Sequence, residues 1–301
     1  MWEALGEPEC VRPGVGPHQA SFAKAWAQGR PEQRVHPFMA RVLALSSHVV
    51  RGHVGLGATV PALQYLGHEV WAVPTVLLAS RPGLGRPVRY ELPSRQVAAV
   101  LDALRSDGCW SALGAVFAGY FPSPRSVTAA ARAIAAIKAD RPGIVVFVDP
   151  ILGDAGRLYV AAETAEAVRS ELVPLASVVS PNRFELEWLT GARVSTLEEA
   201  VVAARRLGPA CVVVTSAVET ADAVTTLLVG EEERLVRSLP RRADIANGAG
   251  DVFAGLLLGR LLEDLSASAA LEASLTDLDR VLSASERSPV LRLAALGAAP
   301  R

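Results

Sequence analysis

Several things that would declare a functional class are scarce in this chain. It has three cysteines in 301 residues, Cys10, Cys109 and Cys211, far apart and odd in number. With no C-x-x-C pair and no Cys/His cluster, a disulfide framework and a structural zinc site are both argued against. A reducing, cytoplasmic setting is expected. Aromatic residues make up 5%, too few for the stacking platforms that hold single strands. An excess of one charge is missing too: 30 basic residues face 31 acidic ones. No basic run is available to neutralise a phosphate backbone, so nucleic acid is not an expected partner. No uninterrupted apolar run approaches membrane length, and the richest, Val252 to Leu262, contains Arg260. The P-loop pattern and the protein-kinase signatures are absent. The glycines of Gly52–Gly57 are misspaced for a dinucleotide fingerprint. No Ser/His/Asp order suggests a hydrolase, and His36 and His68 read as surface residues.

What is present is a hydrophobic chain with strong alternation. Half of the residues are apolar, enough for a sizeable core. Residues 1–38 carry Pro8, Pro13, Pro17, Pro31 and Pro37 and no basic start followed by an apolar block. They are expected to be a disordered, dispensable N-terminal extension, with one domain over 39–301. From Arg41 onward, short β-branched runs alternate with helix-length segments. Strands are expected at 42–46, 70–76, 115–118, 144–149, 178–180 and 211–215. Helices are expected at 57–66, 95–107, 126–139, 164–173, 184–190 and 196–207, followed by a hairpin at 224–229 and 233–238. Further helices are expected at 252–262, 267–275 and 277–282. This pattern predicts an α/β fold, a three-layer α/β/α sandwich with a mainly parallel central sheet.

The polar residues gather where such a sheet binds ligands, beyond the carboxyl ends of its strands. The stretch Asn247-Gly248-Ala249-Gly250-Asp251 opens an apolar helix. Free N–H groups at Gly248, Ala249 and Gly250 would form an anion hole. Asp251 reads either as the N-cap of that helix or as a base that takes a proton from a hydroxyl attacking a phosphoryl group. Asp149 before Pro150 reads as a turn cap or as a Mg²⁺ partner. Asn182 and Glu185, three apart, read as a capping box, as organisers of Mg²⁺ around a triphosphate, or as both. Thr215 and Ser216 end a strand where phosphate could bind. Ser47 and His48, just after the first strand, are candidates for substrate contact, Ser47 the better one. Arg51–Gly55 reads as a flexible turn. Arg241 and Arg242 read as a cover for phosphates or, more simply, as a solvated charge pair.

These residues together resemble the pyridoxal kinase family of the ribokinase-like superfamily. The resemblance covers Arg41 to the end of the Asp251 helix, with a weaker tail beyond. It rests on Ser46-Ser47-His48-Val49-Val50-Arg51-Gly52-His53-Val54-Gly55, on Leu66–Trp71 and Gly119-Tyr120, and on the run from Val148-Asp149-Pro150 to Val160. It rests also on Ser180-Pro181-Asn182-Arg183-Phe184-Glu185 through Gly191, on Val214-Thr215-Ser216 and on Asn247–Asp251. The resemblance implies ATP-dependent phosphorylation of the 5′-hydroxymethyl of pyridoxal, and often of pyridoxine or pyridoxamine. It implies Asp251 as base and Gly248, Ala249 and Gly250 as the N–H hole. Asp149 and Glu185 would lie near Mg²⁺ and phosphate, Asn182, Ser180 and Thr215 near ATP, and Ser47 near the pyridine ring. A homodimer is implied by the family alone, and a K⁺ requirement is left open. Two positions depart from the family pattern. Leu56 stands where Asn is common. The loop Ala79-Ser80-Arg81-Pro82-Gly83-Leu84-Gly85 replaces a more polar one that approaches the vitamin, so Ser80 and Arg81 are expected at the substrate. A hydroxymethylpyrimidine kinase and a vitamer-binding protein with weak catalysis are the alternative readings.

Overall fold

A computed structural model describes residues 40–298, apart from 82 and 85–87. The expected extension over 1–38, with Cys10 and His36, lies outside the described residues. The core is a nine-stranded sheet in the order β11-β10-β9-β8-β5-β4-β1-β2-β3. Its strands are β1 (Arg41–Arg51), β2 (Glu69–Ser80), β3 (Arg89–Glu91), β4 (Leu113–Ala118), β5 (Val145–Val148), β8 (Val178–Val179), β9 (Cys211–Glu219), β10 (Ala223–Val229) and β11 (Arg234–Pro240). The six from β9 to β2 are mutually parallel, while β3, β10 and β11 run antiparallel at the two edges. Two further strands, β6 (Gly153–Asp154) and β7 (Arg157–Leu158), form a separate two-stranded flap.

The two-residue period of β1 sets the layers. Val42 and Ala44 face one core; Leu43 and Leu45 face the other. The first core is closed by α1 (Leu56–Tyr65), α7 (Ala249–Leu261) and α8 (Ala267–Ser285). The second is closed by α2 (Ser94–Ser106), α3 (Pro124–Asp140) and α4 (Ala162–Ala167). A third cluster packs α5 (Arg183–Thr190) and α6 (Leu197–Leu207) on β9 and β10. Helix starts follow local chemistry: Ser123 with Ser126, Asn182 with Glu185, and Thr196 with Glu199 each close a reciprocal capping box. The helix α7 is buried nearly all round, from Val252 through Gly259, as a wholly apolar helix must be.

Four expectations are corrected. First, β1 and β2 run well past the core, so Ser47, His48 and Ser80 are strand residues rather than loop residues. Parallel pairing continues to Arg51 opposite Ser80. Second, Thr276-Asp277 does not start a new helix. A single helix, α8, runs through it, because Asp277 is buried and pairs with Arg260 and Arg280. Third, His68 is buried rather than at the surface. Its Nδ1 accepts from the Ala40 N–H at 3.3 Å and its Nε2 donates to the Gly259 carbonyl at 3.0 Å. Fourth, Arg241 and Arg242 are not a merely solvated pair: Arg241 is held by Glu219, and the mostly buried Arg242 by Asp279 and Glu286.

Candidate active site

The chain order makes one crevice inevitable. From β1 the chain steps to β2 on one side; the next parallel strand, β4, then lies on β1's other side. Strand order therefore reverses between β1 and β4, and the carboxyl ends of these strands splay open there. Two side chains stitch the crevice wall. Ser46, fully buried, accepts the Tyr120 N–H at 3.0 Å, and Thr75 donates to the Tyr120 carbonyl at 2.7 Å. Gly119 is required in this wall, because a Cβ there would meet the Ser46 hydroxyl at 2.5 Å.

Asp251 stands at the mouth of α7. The helix is entered through Gly248 at φ 117 with no side-chain cap, so the capping reading of Asp251 is not what the structure shows. Asp251 is in the first turn, and its Oδ1 is buried without a hydrogen-bond partner. Burial pushes the carboxyl up to about 6, and a bond from the Gly55 backbone N–H offsets part of that rise. The hole in front of it depends on glycine at two positions. A Cβ at Gly248 would drive into the His53 carbonyl oxygen, and one at Gly55 into the Ser47 backbone carbonyl. Gly250 differs, for nothing lies near the space its Cβ would take.

Asp149 lies close enough to both Glu185 and Asp251 to feel their charges. Burial raises Asp149 well above the usual carboxylate range, and the charges of Glu185 and Asp251 raise it further. The neighbouring Ser180 hydroxyl, buried and without a well-formed hydrogen bond, offsets part of this. Burial pushes Glu185 to about 7, although its oxygens accept three backbone N–H groups that favour the charged form. Those donors are Leu152 at 2.8 Å, Gly153 at 3.3 Å and Asn182 at 2.9 Å. Asn182 in turn donates to the Gly153 carbonyl at 2.8 Å and accepts the Glu185 N–H at 2.9 Å. This pair therefore clasps the turn after β5 to the start of α5. Within that turn Ile151 is held at φ 43, a strained conformation for a β-branched residue.

The remaining expected residues fall on the same edge. Thr215 bridges Asn182 from the middle of β9, which continues to Glu219 rather than ending at Thr215-Ser216 as expected, and its N–H donates to the Pro181 carbonyl at 2.9 Å. Ser216 follows at φ 48, where the pairing of β9 with β10 shifts register, a device that re-aims a strand beside a site. Ser47 is buried under Gly55, and His48 bridges Gly55. Arg81 donates through its side chain to the Pro289 carbonyl at 2.7 Å and through its backbone to Arg51 at 3.0 Å. The loop that carries it is thus tied to both the β1–α1 turn and the C-terminal segment.

Sequence reasoning missed the Gly55 N–H, because a glycine in a turn explains itself without a partner. It also missed Ser46, Thr59 and Thr75, buried hydroxyls inside apolar runs whose only signal is an unexplained polar group at a strand end or helix face.

Among the described residues, no three His, Cys, Asp or Glu side chains come together as a metal cage. The charges of Glu185 and Asp251 nonetheless both raise the proton affinity of Asp149, a repulsion that a divalent cation would relieve. Asp149 fits that task with phosphate and water oxygens completing the shell.

The known proteins that this chain is similar to are kinases. Residues 110–276 match the pfkB family carbohydrate kinase model. The chain is 36% identical over 238 residues to the pyridoxal kinase PdxY of Corynebacterium diphtheriae, covering 76% of this chain and 84% of that one. It is 38% identical over 247 residues to the pyridoxine/pyridoxal/pyridoxamine kinase of Bordetella avium, covering 79% and 83%. Among solved structures, the pyridoxal kinase of Leishmania donovani in complex with ADP and pyridoxamine superposes with a TM-score of 0.79 at 28% identity, over 85% of this chain and 93% of that one.

Proposed function

We infer, for a chain that belongs to the pyridoxal kinases of the ribokinase-like superfamily, that its reaction is transfer of the γ-phosphoryl group of ATP to the 5′-hydroxymethyl of pyridoxal. One observation carries the reading. A carboxylate oxygen of Asp251 is buried without a partner at the N-terminus of a helix, facing a second buried acid, Asp149. Such an oxygen is held ready to take a proton.

In this mechanism Asp251 accepts the proton of the 5′-hydroxyl as that oxygen forms its bond to the γ-phosphorus. The bond from phosphorus to the bridging oxygen breaks, and ADP leaves with the electron pair. The N–H groups at Gly248, Ala249 and Gly250 face the charge on the transferred group, and the α7 dipole adds to them. Ser47 and the β1–α1 turn hold the vitamin so that its hydroxyl meets Asp251, with Ser80 and Arg81 at the rim. Ser180, Asn182 and Thr215 line the nucleotide side, and Glu185 fixes the turn between them. Mg²⁺ at Asp149 and Glu185 would neutralise phosphate charge, Asp149 holding it directly and Glu185 from behind its clasp. The family likeness is also the basis on which we assign a homodimer. The scattered cysteines support a cytoplasmic setting, and among the described residues no helix is long and apolar enough to cross a membrane.

The test is ADP release with ATP and Mg²⁺ over a panel of pyridoxal, pyridoxine, pyridoxamine and hydroxymethylpyrimidine, with and without K⁺. Turnover with pyridoxal is expected. Turnover with hydroxymethylpyrimidine alone, or pyridoxal binding without ADP release, would overturn the assignment.

A further inference from the structure

On the layer opposite α7, the helices α2 and α3 leave a groove of about 560 Å³ between them, a volume typical of small-molecule sites. The sheet separates it from Asp251. Both helices run back against β4, so they lie side by side in the same direction. Each places two arginines on the groove: Arg95 and Arg105 from α2, Arg125 and Arg132 from α3. Among the described residues none of the four has an ion-pair partner. Arg125 and Arg132 are seven apart, two helical turns, and so share one face. Between them Ala129 and Ala133, with Ala98 of α2, give a floor of small side chains.

The floor also holds an unexplained polar group. Trp110, in the 3-10 turn Cys109–Ala112, lines the groove and is only 4% exposed. Its indole N–H is buried and has no acceptor, an omission that costs free energy in a folded chain. The Arg105 guanidinium lies over the same ring, 5.3 Å from its centre. Asp102 is the acid lining the groove, and Glu171 is engaged from outside by Thr128 at 3.0 Å.

We propose that this groove binds a phosphate monoester carried on a flat heteroaromatic ring, at a site distinct from the active site. Arginine forks match phosphate geometry, and the alanine floor with Trp110 suits a ring. Asp102 interrupts the positive field of α2, which favours charge gathered at one end of a ligand over a continuous polyanion. Two sources share this chemistry, a nucleoside monophosphate and the phosphorylated vitamin that the proposed reaction yields. The groove itself does not depend on that reaction.

Calorimetric titration of the full chain with AMP, with pyridoxine 5′-phosphate and with inorganic phosphate tests this. Pyridoxine 5′-phosphate carries no aldehyde to condense with amines. The double variant R125E/R132E is expected to bind one equivalent fewer of at least one monoester, or to bind it about tenfold or more weakly, with turnover unchanged. Which monoester responds identifies the source. If the double variant fails to fold, Arg132→Ala, at an exposed helical position, is expected to weaken the same binding severalfold. Equal stoichiometry and affinity in parent and variants for both monoesters would overturn the proposal. Inorganic phosphate binding as tightly as the monoesters would overturn the part assigned to the ring.

Discussion

Thr59, fully buried on α1, donates its hydroxyl to the backbone carbonyl of Asp251 at 3.2 Å. The helix that follows β1 is thereby tied to the first turn of the helix that carries Asp251. The two helices meet closely at Gly255, where a Cβ would meet the Thr59 carbonyl at 2.8 Å. Placement of the acid is thus a packing property of α1 and α7, and several outcomes can be stated from it.

Asp251→Asn separates chemistry from stability. Turnover is expected to fall by about 10²- to 10⁴-fold. In the parent, kcat/KM should rise with pH up to about 6 and then flatten, because the base works deprotonated. The folded-state value is raised from 3.8 to about 6, so the carboxyl's contribution to stability is whole below the unfolded value and is lost as pH rises through about 6. The variant escapes that loss. Denaturant melts should show it more stable than the parent at pH 8, on the order of 3 kcal/mol, with the gap closing by pH 4. A gap that does not change with pH would contradict the assignment of burial to this acid.

Gly248→Ala and Gly250→Ala should differ in kind. The first meets the His53 carbonyl and needs φ 117, so it should lose both melting temperature and activity. The second enters open space on ordinary helical backbone. It should keep its melting temperature, since alanine favours the helix by up to about 1 kcal/mol. If phosphate occupies that space, kcat/KM drops at least about tenfold. Thermal melts and steady-state rates, measured together on both variants, decide this.

Glu185→Gln tests the clasp. The carboxylate accepts N–H groups on both oxygens, and an amide must turn its NH₂ toward one set. A loss of about 1–3 kcal/mol in unfolding free energy is expected, together with a raised KM for ATP as the turn after β5 shifts. Unchanged stability would show that the clasp is not holding the turn.

His68 predicts a pH dependence far from the chemistry. Burial lowers its pKa below 6.5, ahead of the opposing Gly259 hydrogen bond. Its contribution to stability is present above about 6.5 and is lost as pH falls toward the folded-state value. Between about pH 7.5 and 5.5 the raised carboxyls of Asp149, Glu185 and Asp251 act in the opposite direction in both chains, so the His68 effect is read as a difference: His68→Gln should gain stability relative to the parent as pH falls. A parent–variant difference that stays constant with pH would remove His68 as a source.

The sequence made the sheet legible because its central strands are continuous β-branched runs, as in Val145–Val148 and Cys211–Val214. The placement of Asp251 in the first turn of a buried helix was legible from two glycines and an acid ahead of an apolar run. The flap of β6 and β7 was not, since two-residue strands leave no period to read. Nor was the length of β1: Ser47-His48 looks like a strand end, yet β2 pairs with it beyond the core. His68 misled because its partners, Ala40 and Gly259, are backbone groups supplied by the fold. Asp277 looked like a helix start, and only the placement of Arg260 and Arg280 explains its burial.

The near-total burial of α7 has a further consequence. Its side chains from Val252 to Gly259 have no free face, so substitutions along it are constrained by volume whatever the acceptor alcohol is. Novelty in acceptor choice is therefore steered toward the extended tips of β1 and β2, where Val50 and Arg51 are exposed and tolerance is greater. A lineage can exchange the molecule it phosphorylates there while inheriting the Asp251 helix unchanged.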